Sequence, residues 1–409
     1  MKHLCRRSDA PSRRAADALL PILVVLLLAL TACQQTERSD PPPYSLYIAV
    51  AGPMSGQYEA FGNQMRLGAE AAVDRLNEAG GVLGRQIHLE ALDDRCDPQR
   101  ATRMAKDVTT EGVLFVDGHF CSGTSIPASA VYDRAGVVMI SPASTNPALT
   151  DQGRALVFRV VRSDADQALF AADHVLDRQL SAHIGTVHDN TAYGQLLVAA
   201  FTERVRQRGG AIVGAYSIRP GAKDYPSLIA SLRTDGVGLV YFGGYAPEAA
   251  AIARGAARAG VSIQLVGADA LVDRSFWREA GPAGEGTLMP FIVDPRQAPA
   301  ARDVAASFER EGVDPKGYVL FSYAAVQVWA QAAERSGGTV GASVANALRS
   351  ATFPTVLGEL AFDGRGNVVG GPPWEMLRWS AGRYAPVGRW LPGMWTQEDE
   401  TRSRSAFAG

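Results

Sequence analysis

Residues 46–81, LYIAVAGPMSGQYEAFGNQMRLGAEAAVDRLNEAGG, decide the fold class of this chain. The run Leu46–Ala51 is apolar almost throughout, which predicts a strand buried on both faces. Over Asn63–Ala79 an apolar stripe recurs at helical spacing, and Gly80 and Gly81 then end the predicted helix. The stripe consists of Met65, Ala69, Ala72, Val73 and Leu76. A buried strand followed by an amphipathic helix is the unit of a parallel sheet covered by helices.

The same alternation continues along the chain from residue 44. Further strands are predicted at Ile87–Leu92, Val113–Asp117, Val137–Ser141, His183–His188, Ile212–Ser217, Leu239–Phe242 and Ile263–Val266. Further helices are predicted near 98–111, 122–135, 166–179, 192–208, 225–234, 247–259, 299–311 and 321–335. The β/α units fall into two sets, before Phe158 and after Ser181, and together they exceed what one sheet usually takes. The predicted fold class is therefore α/β, with two doubly wound parallel-sheet lobes.

Three segments are predicted to cross between the lobes: Leu156–Arg162, Leu288–Asp294 and the Gly/Pro-rich Asp363–Trp374. With these crossings, the N-terminal lobe comprises 44–160 and 292–366. The C-terminal lobe comprises 161–291 and 367–395. The polar tail at 396–409 is predicted to be disordered.

The first 33 residues are predicted to direct export. The apolar run Ala18–Ala32 is too short to cross a bilayer comfortably, and basic residues precede it, as in a secretory signal peptide. These basic residues are Lys2, Arg6, Arg7, Arg13 and Arg14. The ending Leu30-Thr31-Ala32-Cys33 resembles the bacterial lipobox, so residues 1–32 are predicted to be cleaved and Cys33 lipidated. A plain signal peptide with a nearby cysteine is the alternative, and the polar, proline-rich 33–43 is predicted to be a tether.

Composition excludes several classes of protein. The chain has 409 residues, 47% of them hydrophobic and 20% charged, which is typical of a globular protein. Its net charge of −2 becomes about −5 once the signal peptide is removed. Without a basic surplus, no nucleic-acid partner is predicted.

Motifs for catalysis are missing from the sequence. It contains no G-x-G-x-x-G fingerprint, G-x-x-x-x-G-K-[ST] loop, G-x-S-x-G elbow or H-E-x-x-H pair. His119 and Cys121 could form a nucleophile pair, but in an exported chain a Cys96–Cys121 disulfide is favoured. His188 follows a strand, and a structural role is favoured for it over a site role. No enzyme, cofactor or metal is predicted.

Seven segments identify a family by their order. They are YIAVAGPMSGQYEAFGNQMRLGAEAAVDRLNEAGGVLGRQI, LDDRCDP, GHFCSGTS, MISPASTNPALT, VHDNTAYG, VYFGGYAPE and VGADAL. Together they resemble the periplasmic branched-chain amino-acid-binding proteins, receptors for ABC importers with the type I periplasmic binding fold. The resemblance spans Leu46 to Trp379. It implies two α/β lobes joined by three crossing strands, with the ligand between them.

Several polar residues are candidates for holding a zwitterionic amino acid. Ser122 follows a strand and opens a helix, whose N-terminus suits a carboxylate, although a capping role is the alternative. The resemblance implies that the Ala143 main chain and the Thr145 hydroxyl hold the α-carboxylate and ammonium; an ordinary Pro-containing turn is the alternative. It also places Asp269 where the family carries a glutamate. We expect Asp269 to pair with the ammonium, or otherwise to cap a helix.

Four aromatic residues match family positions around the ligand. The resemblance implies that Tyr193 and Tyr245 close over it, and that Phe61 and Tyr318 face its side chain. For each of them, core packing is the alternative. Apolar walls with a few fixed polar groups are typical of small-ligand sites.

The resulting hypothesis is a monomeric, extracytoplasmic solute-binding lipoprotein that touches the membrane through its lipid anchor only. It captures a small branched-chain or aliphatic amino acid and delivers it to an ABC permease and ATPase complex. The main alternative keeps the fold but binds another solute, such as an amide, urea or an aromatic acid, for import or sensing.

Overall fold

The computed structural model describes residues 45–370 and 372–387. The predicted signal peptide, the lipidation site Cys33, the tether and the tail at 396–409 lie outside the described residues. The strands are β1 Leu46–Gly52, β2 Ile87–Asp93, β3 Phe115–Gly118, β4 Val138–Ser141, β5 Val157–Arg159, β6 Ile184–His188, β7 Ile212–Ser217, β8 Leu239–Gly243, β9 Gln264–Val266, β10 Leu288–Ile292, β11 Phe353–Thr355, β12 Gly358–Phe362, β13 Val368–Gly370, β14 Trp374–Ser380 and β15 Arg383–Pro386.

The α-helices alternate with these strands. They are α1 Glu59–Glu78, α2 Pro98–Thr110, α3 Ser122–Ala135, α4 Ala148–Asp151, α5 Asp164–Asp177, α6 Ala192–Gln207, α7 Pro226–Thr234, α8 Ala246–Ala259, α9 Arg274–Ala280, α10 Arg302–Arg310, α11 Val319–Ser336 and α12 Gly341–Ser350. Within the described ranges, no helix is both long and apolar enough to cross a membrane.

The first sheet is fully parallel and has the strand order β2-β1-β3-β4-β5. The apolar strand β1 lies inside it, where Ile48, Ala49 and Val50 are completely buried. Helices cover both faces, so an apolar side chain is favourable at every position of such a strand.

The second sheet repeats this plan. Strands β7-β6-β8-β9-β10 are parallel and follow the same order as the first sheet, with the antiparallel hairpin β14–β15 added beyond β10. The predicted fold class, α/β with two doubly wound parallel-sheet lobes, is confirmed.

The C-terminal third departs from the predicted elements. A small antiparallel sheet, β11-β12-β13, had no counterpart among them, and neither had helices α9 and α12 or strand β15. The segment Asp363–Trp374, predicted as one crossing, contains a turn followed by β13 and only then reaches β14. These strands are three to five residues long, too short for their hydrophobic pattern to stand out from a loop.

The chain passes between the two parallel sheets after β5, after β10 and after β13. After the second passage, α11 returns and packs along α1 of the first sheet. A Cβ at Gly68 of α1 would come within 2.0 Å of the Val319 carbonyl oxygen of α11, so this crossing requires a glycine. The lobe limits at residues 160, 291 and 366 stay a prediction.

Candidate functional site

The two parallel sheets share a geometry that creates a binding crevice. In each of them the strand order reverses, between β1 and β3 in the first sheet and between β6 and β8 in the second. Crevices form beyond the carboxyl ends of strands at such points. Seven of the eight predicted residues lie in segments that follow carboxyl ends, and Tyr318 directly precedes α11. All eight are at most 6% exposed: Phe61, Ser122, Ala143, Thr145, Tyr193, Tyr245, Asp269 and Tyr318.

Asp269 lies at the centre of the crevice and is 2% exposed. One carboxylate oxygen accepts hydrogen bonds from the Tyr193 hydroxyl at 2.5 Å and the Gln167 amide at 3.0 Å. The other accepts from the Tyr318 hydroxyl at 2.7 Å. Asp269 opens a short 3₁₀ turn whose N-cap is Ala268. The main chain of Ala270 also forms a hydrogen bond with the Asp269 carboxylate. Tyr318, expected to face only the ligand side chain, therefore also holds this carboxylate.

A second buried carboxyl, Asp164, lies beside Asp269. The Gln167 amide donates to both, at 3.1 Å to Asp164 and 3.0 Å to Asp269. The other carboxyl oxygen of Asp164 is buried without a well-formed hydrogen bond. The buried Thr145 hydroxyl lies close enough to this carboxyl to lower its pKa. The sequence prediction missed Asp164 and Gln167, because their positions at the start of α5 suggest only an ordinary helix end.

The two carboxyls occupy a costly environment. Burial raises the pKa of Asp269, although the hydroxyls of Tyr193 and Tyr318 and the Gln167 amide partly lower it. Burial, and then the charge of Asp269, raise the pKa of Asp164 well above its usual value. The charge of Arg159 offsets only part of this cost for Asp164, so a further positively charged group between the two acids would be stabilised.

Arg159 fixes the loop that carries Thr145. Its buried guanidinium donates to the main-chain oxygens of Thr145 at 2.8 Å and Asn146 at 2.9 Å. It also donates to the Thr150 hydroxyl at 2.8 Å and to the Asn367 side chain, which directly precedes β13 of the small sheet. Burial lowers the pKa of Arg159 to about 10, so the group keeps its charge at neutral pH.

Ser122 and Ala143 lie at the end of the crevice formed by the first sheet. Ser122 is the first residue of α3, and the N-cap is Cys121. Its hydroxyl accepts a hydrogen bond of 3.4 Å from the Asn146 N–H, which links α3 to the loop after β4. The first N–H groups of a helix lack partners within the helix, so this end favours an anion.

Aromatic rings from both lobes line the remainder of the crevice. The Tyr193 and Tyr245 rings are stacked with centroids 5.0 Å apart. Phe61 stacks on Phe120 at 4.4 Å, and the edge of Tyr318 meets Phe120 at 5.2 Å. Phe120 was absent from the sequence prediction. None of these side chains carries a charge at neutral pH, so they form an apolar wall.

Hydrogen bonds join the two lobes across the crevice. The Gln64 amide on α1 donates to Asp273 at 2.6 Å, and the Asn146 amide donates to the Ala192 carbonyl at 2.8 Å. Gln64 also accepts from the Tyr318 N–H at 3.0 Å. Together with the hydrogen bond from the Tyr318 hydroxyl to Asp269, these contacts hold the lobes in a closed arrangement.

The favoured disulfide is confirmed: Cys96 and Cys121 are bonded, with Cα atoms 5.6 Å apart. His119 is buried nearby, but its ring contacts Asp94 at 2.7 Å and the Tyr132 hydroxyl at 3.1 Å. In the part of the chain that the structure describes, no three His, Cys, Asp or Glu side chains are grouped so as to hold a metal ion.

Two further acids lie at the rim of the crevice. Glu248 accepts from the Gly221 N–H at 2.9 Å and, weakly, from the Gln57 amide of the opposite lobe at 3.5 Å. Its other oxygen and one oxygen of Asp189 are buried without hydrogen-bond partners. Burial raises the pKa of Glu248 to about 7 and that of Asp189 to about 6. The other titratable groups facing this pair are Tyr58, Tyr225 and Glu279.

We expect Glu248 to make the folded state less stable as pH rises from 5 to 8. The folded state retains the proton of Glu248 up to about pH 7, whereas an unfolded glutamate loses its proton near its ordinary pKa of 4.5, so stability falls between these values. Glu248→Gln removes this loss, on the order of 2 kcal/mol. The melting temperature of the variant minus that of the wild type should increase by about 3 °C from pH 5 to pH 8. Glu309→Gln, on the exposed face of α10, is the matched control. If the difference in melting temperature between Glu248→Gln and the wild type does not change with pH, the expectation is contradicted.

Known proteins share this sequence and fold. A family model described as periplasmic binding protein matches residues 45–383. A Leu/Ile/Val-binding protein homologue from Brucella melitensis is 38% identical over 336 residues, covering 82% of this chain and 90% of the relative. A leucine-, isoleucine-, valine-, threonine- and alanine-binding protein from Pseudomonas aeruginosa is 35% identical over 325 residues, covering 79% and 87%.

Solved structures agree with the sequence comparison. A leucine-binding protein from Thermotoga maritima superposes with a TM-score of 0.78 at 26% identity, covering 83% of this chain and 97% of that one. The family match extends over more than four fifths of the chain, and it includes both sheets and the crevice between them. This chain belongs to the periplasmic binding protein family, whose members are solute receptors rather than enzymes.

Proposed function

We propose that this periplasmic binding protein captures a small aliphatic amino acid in the crevice and delivers it to an ABC importer. The observation that carries the proposal is the buried pair Asp269 and Asp164. One carboxyl is held by two tyrosine hydroxyls, while the other has an oxygen without a well-formed hydrogen bond and faces the Thr145 hydroxyl. An α-ammonium group supplies both the positive charge and the hydrogen-bond donors that this arrangement lacks.

The α-carboxylate, the negatively charged group of the ligand, has a separate site. The N-terminus of α3, beginning at Ser122, follows β3 and offers N–H groups and a partial positive charge to an α-carboxylate. Ala143 and Thr145, in the loop after β4, complete this end through their main chain and hydroxyl. Arg159 holds the loop in place through the carbonyl groups of Thr145 and Asn146.

The aromatic wall selects the rest of the ligand. Phe61, Tyr245 and Tyr318 leave an apolar surface for an aliphatic side chain. A charged side chain there would lose its hydration without gaining a partner, which is unfavourable. The names of the similar proteins from Brucella and Pseudomonas, which refer to aliphatic amino acids, support this choice over amides, urea or aromatic acids.

Capture is coupled to closure of the lobes. Asp269 comes from the second sheet, and Ser122 and Thr145 from the first, so only the closed form presents both charges to one ligand. A ligand that binds the closed form more tightly than the open one shifts the population toward closure. The closed receptor then docks on the permease.

Anchoring is the part of the proposal that depends on the N-terminal region. Cleavage after Ala32 and lipidation of Cys33 would tether a monomeric receptor to the membrane by its lipid alone, with residues 33–43 as the linker. Mass spectrometry of the protein from its native membrane should find a diacyl or triacyl group on Cys33. An unmodified N-terminus beyond residue 33 would remove the anchor from the proposal.

Calorimetric titration of the ligand-free protein tests the proposed substrate. We expect binding of leucine, isoleucine, valine or alanine, because each has both charges and an aliphatic side chain. Isopentylamine, which lacks the carboxylate, and 4-methylpentanoate, which lacks the ammonium, should bind at least 100-fold more weakly than leucine, since each leaves one end of the site unpaired. A folded protein that binds no amino acid, or binds the truncated analogues equally well, would refute the proposal.

A further inference from the structure

Phe120 occupies the middle of the aromatic wall. It lies between the end of β3 and the start of α3 and is 4% exposed. Its ring stacks on Phe61 at 4.4 Å with an interplanar angle of 17°. It meets the edge of Tyr318 at 5.2 Å and 86°, and it lies 6.1 Å from the Tyr245 ring. Phe120 therefore lies beside three of the four other rings of the wall, and Tyr193 reaches it only through Tyr245.

The position of Phe120 in the chain places it beside the ligand's side chain. Ser122, two residues later, begins the helix whose N-terminus takes the carboxylate in the proposed function. Asp269, at the ammonium end, is held by Tyr318, whose ring is in contact with Phe120. A side chain leaving the α-carbon between these two ends meets the Phe120 ring together with Phe61.

The main chain at Phe120 is held on both sides. Its carbonyl accepts a hydrogen bond of 2.8 Å from the Ser144 hydroxyl, and that hydroxyl also contacts the His119 carbonyl at 3.1 Å. The next residue, Cys121, is bonded to Cys96. A larger ligand cannot push the ring aside by moving the loop without disturbing these bonds. Close-packed surroundings resist such an insertion, and overpacking is unfavourable.

We propose that Phe120 is the specificity-determining residue that sets the upper size limit of the ligand's side chain. It admits aliphatic side chains up to the size of leucine and rejects aromatic amino acids. This inference rests on the proposed function, because it assumes an α-amino acid held at Ser122 and Asp269. It assigns the selection by size to one ring, where the proposed function gives only the charge and polarity of the ligand.

Titration of the full chain with alanine, valine, leucine and phenylalanine tests the inference. In the wild type we expect phenylalanine to bind at least 100-fold more weakly than valine. In Phe120→Ala that ratio should fall at least tenfold, because the removed ring leaves space for an aromatic side chain. Phe120→Leu, which keeps an apolar side chain and the fold, should show the same change to a smaller degree. Phe308→Leu, in the buried face of α10, controls for an aromatic lost elsewhere and should leave the ratio unchanged.

The outcomes separate this inference from the proposed function. A wild type that binds aliphatic amino acids, with an unchanged ratio in both Phe120 variants, overturns the role of Phe120 alone. A folded Phe120→Leu that loses every amino acid equally also overturns it, because the ring would then support the whole site rather than select by size. A wild type that binds none of the four amino acids refutes the proposed function, and the inference with it.

Discussion

Asp269→Asn will lower the affinity for the amino-acid ligand at least 100-fold, and Asp269→Ala will abolish measurable binding. The carboxylate of Asp269 is buried and, in the proposed function, pairs with the ammonium group. Its loss leaves a buried cation with one charged partner fewer, and such changes are among the most damaging in binding sites. A 100-fold loss corresponds to about 3 kcal/mol of binding free energy. Calorimetric titration measures it directly.

The stability of the same variant distinguishes a lost contact from a damaged fold. Because burial raises the pKa of Asp269, its ionised form opposes folding, and the penalty is present once the pH exceeds the raised pKa. Asp269→Asn should therefore melt at the same or a higher temperature than the ligand-free wild type at pH 8. Asp303→Asn, on the exposed face of α10, should change neither the ligand affinity nor the melting temperature. Unchanged ligand affinity in Asp269→Asn would show that the ammonium group lies elsewhere.

Loss of the Cys96–Cys121 disulfide is expected to have the second large effect. The bond closes a loop with a sequence separation of 25 residues. On the chain-entropy model, a crosslink of that length contributes about 3 kcal/mol to the free energy of unfolding. Cys96→Ser combined with Cys121→Ser should therefore lower the melting temperature by about 4 °C for a body of this size. Because the bond holds the residue directly before Ser122, at the start of α3, ligand affinity should fall as well.

Reductant provides the control for that experiment. Dithiothreitol should lower the melting temperature of the wild type toward that of the double variant and leave the double variant itself unchanged. Each single serine variant should match the double variant within about 1 °C, since either removes the crosslink. A wild type that melts at the same temperature with and without reductant would show that the bond contributes nothing measurable to the fold.

Local pattern was sufficient for the repeated part of the fold. The predicted strand Ile212–Ser217 and the predicted helix 122–135 have the observed bounds. The strand alternates between half-buried and exposed residues, and Gly136 ends the helix in the left-handed conformation. The short strands from Phe353 to Gly370 have no such periodicity, although each pairs with a neighbouring strand in the sequence.

The residues of the site also divide into those that sequence motifs reveal and those that only the fold reveals. The quoted family segments contain seven of the eight predicted residues, all except Tyr318, and the structure buries all eight. Gln167 was missed because its role depends on Asp269, which is 102 residues away in sequence. Phe120 was missed because a single apolar residue after a strand is indistinguishable from core. Residues whose function arises from tertiary contacts require the fold before they can be recognised.

The hydrogen bonds of the Arg159 guanidinium have a consequence for the engineering of optical sensors. One guanidinium joins the ligand loop at Thr145 to the segment at Asn367, so the loop and the chain passages beside it move as a single block. When the ligand is captured, we expect the distances between the two lobes to change least at this block. They should change most at the opposite rim, near Gln57 and Glu248. A pair of dyes should be attached at that rim, with Arg159 and its partners left intact, so that the signal reports closure without weakening the receptor.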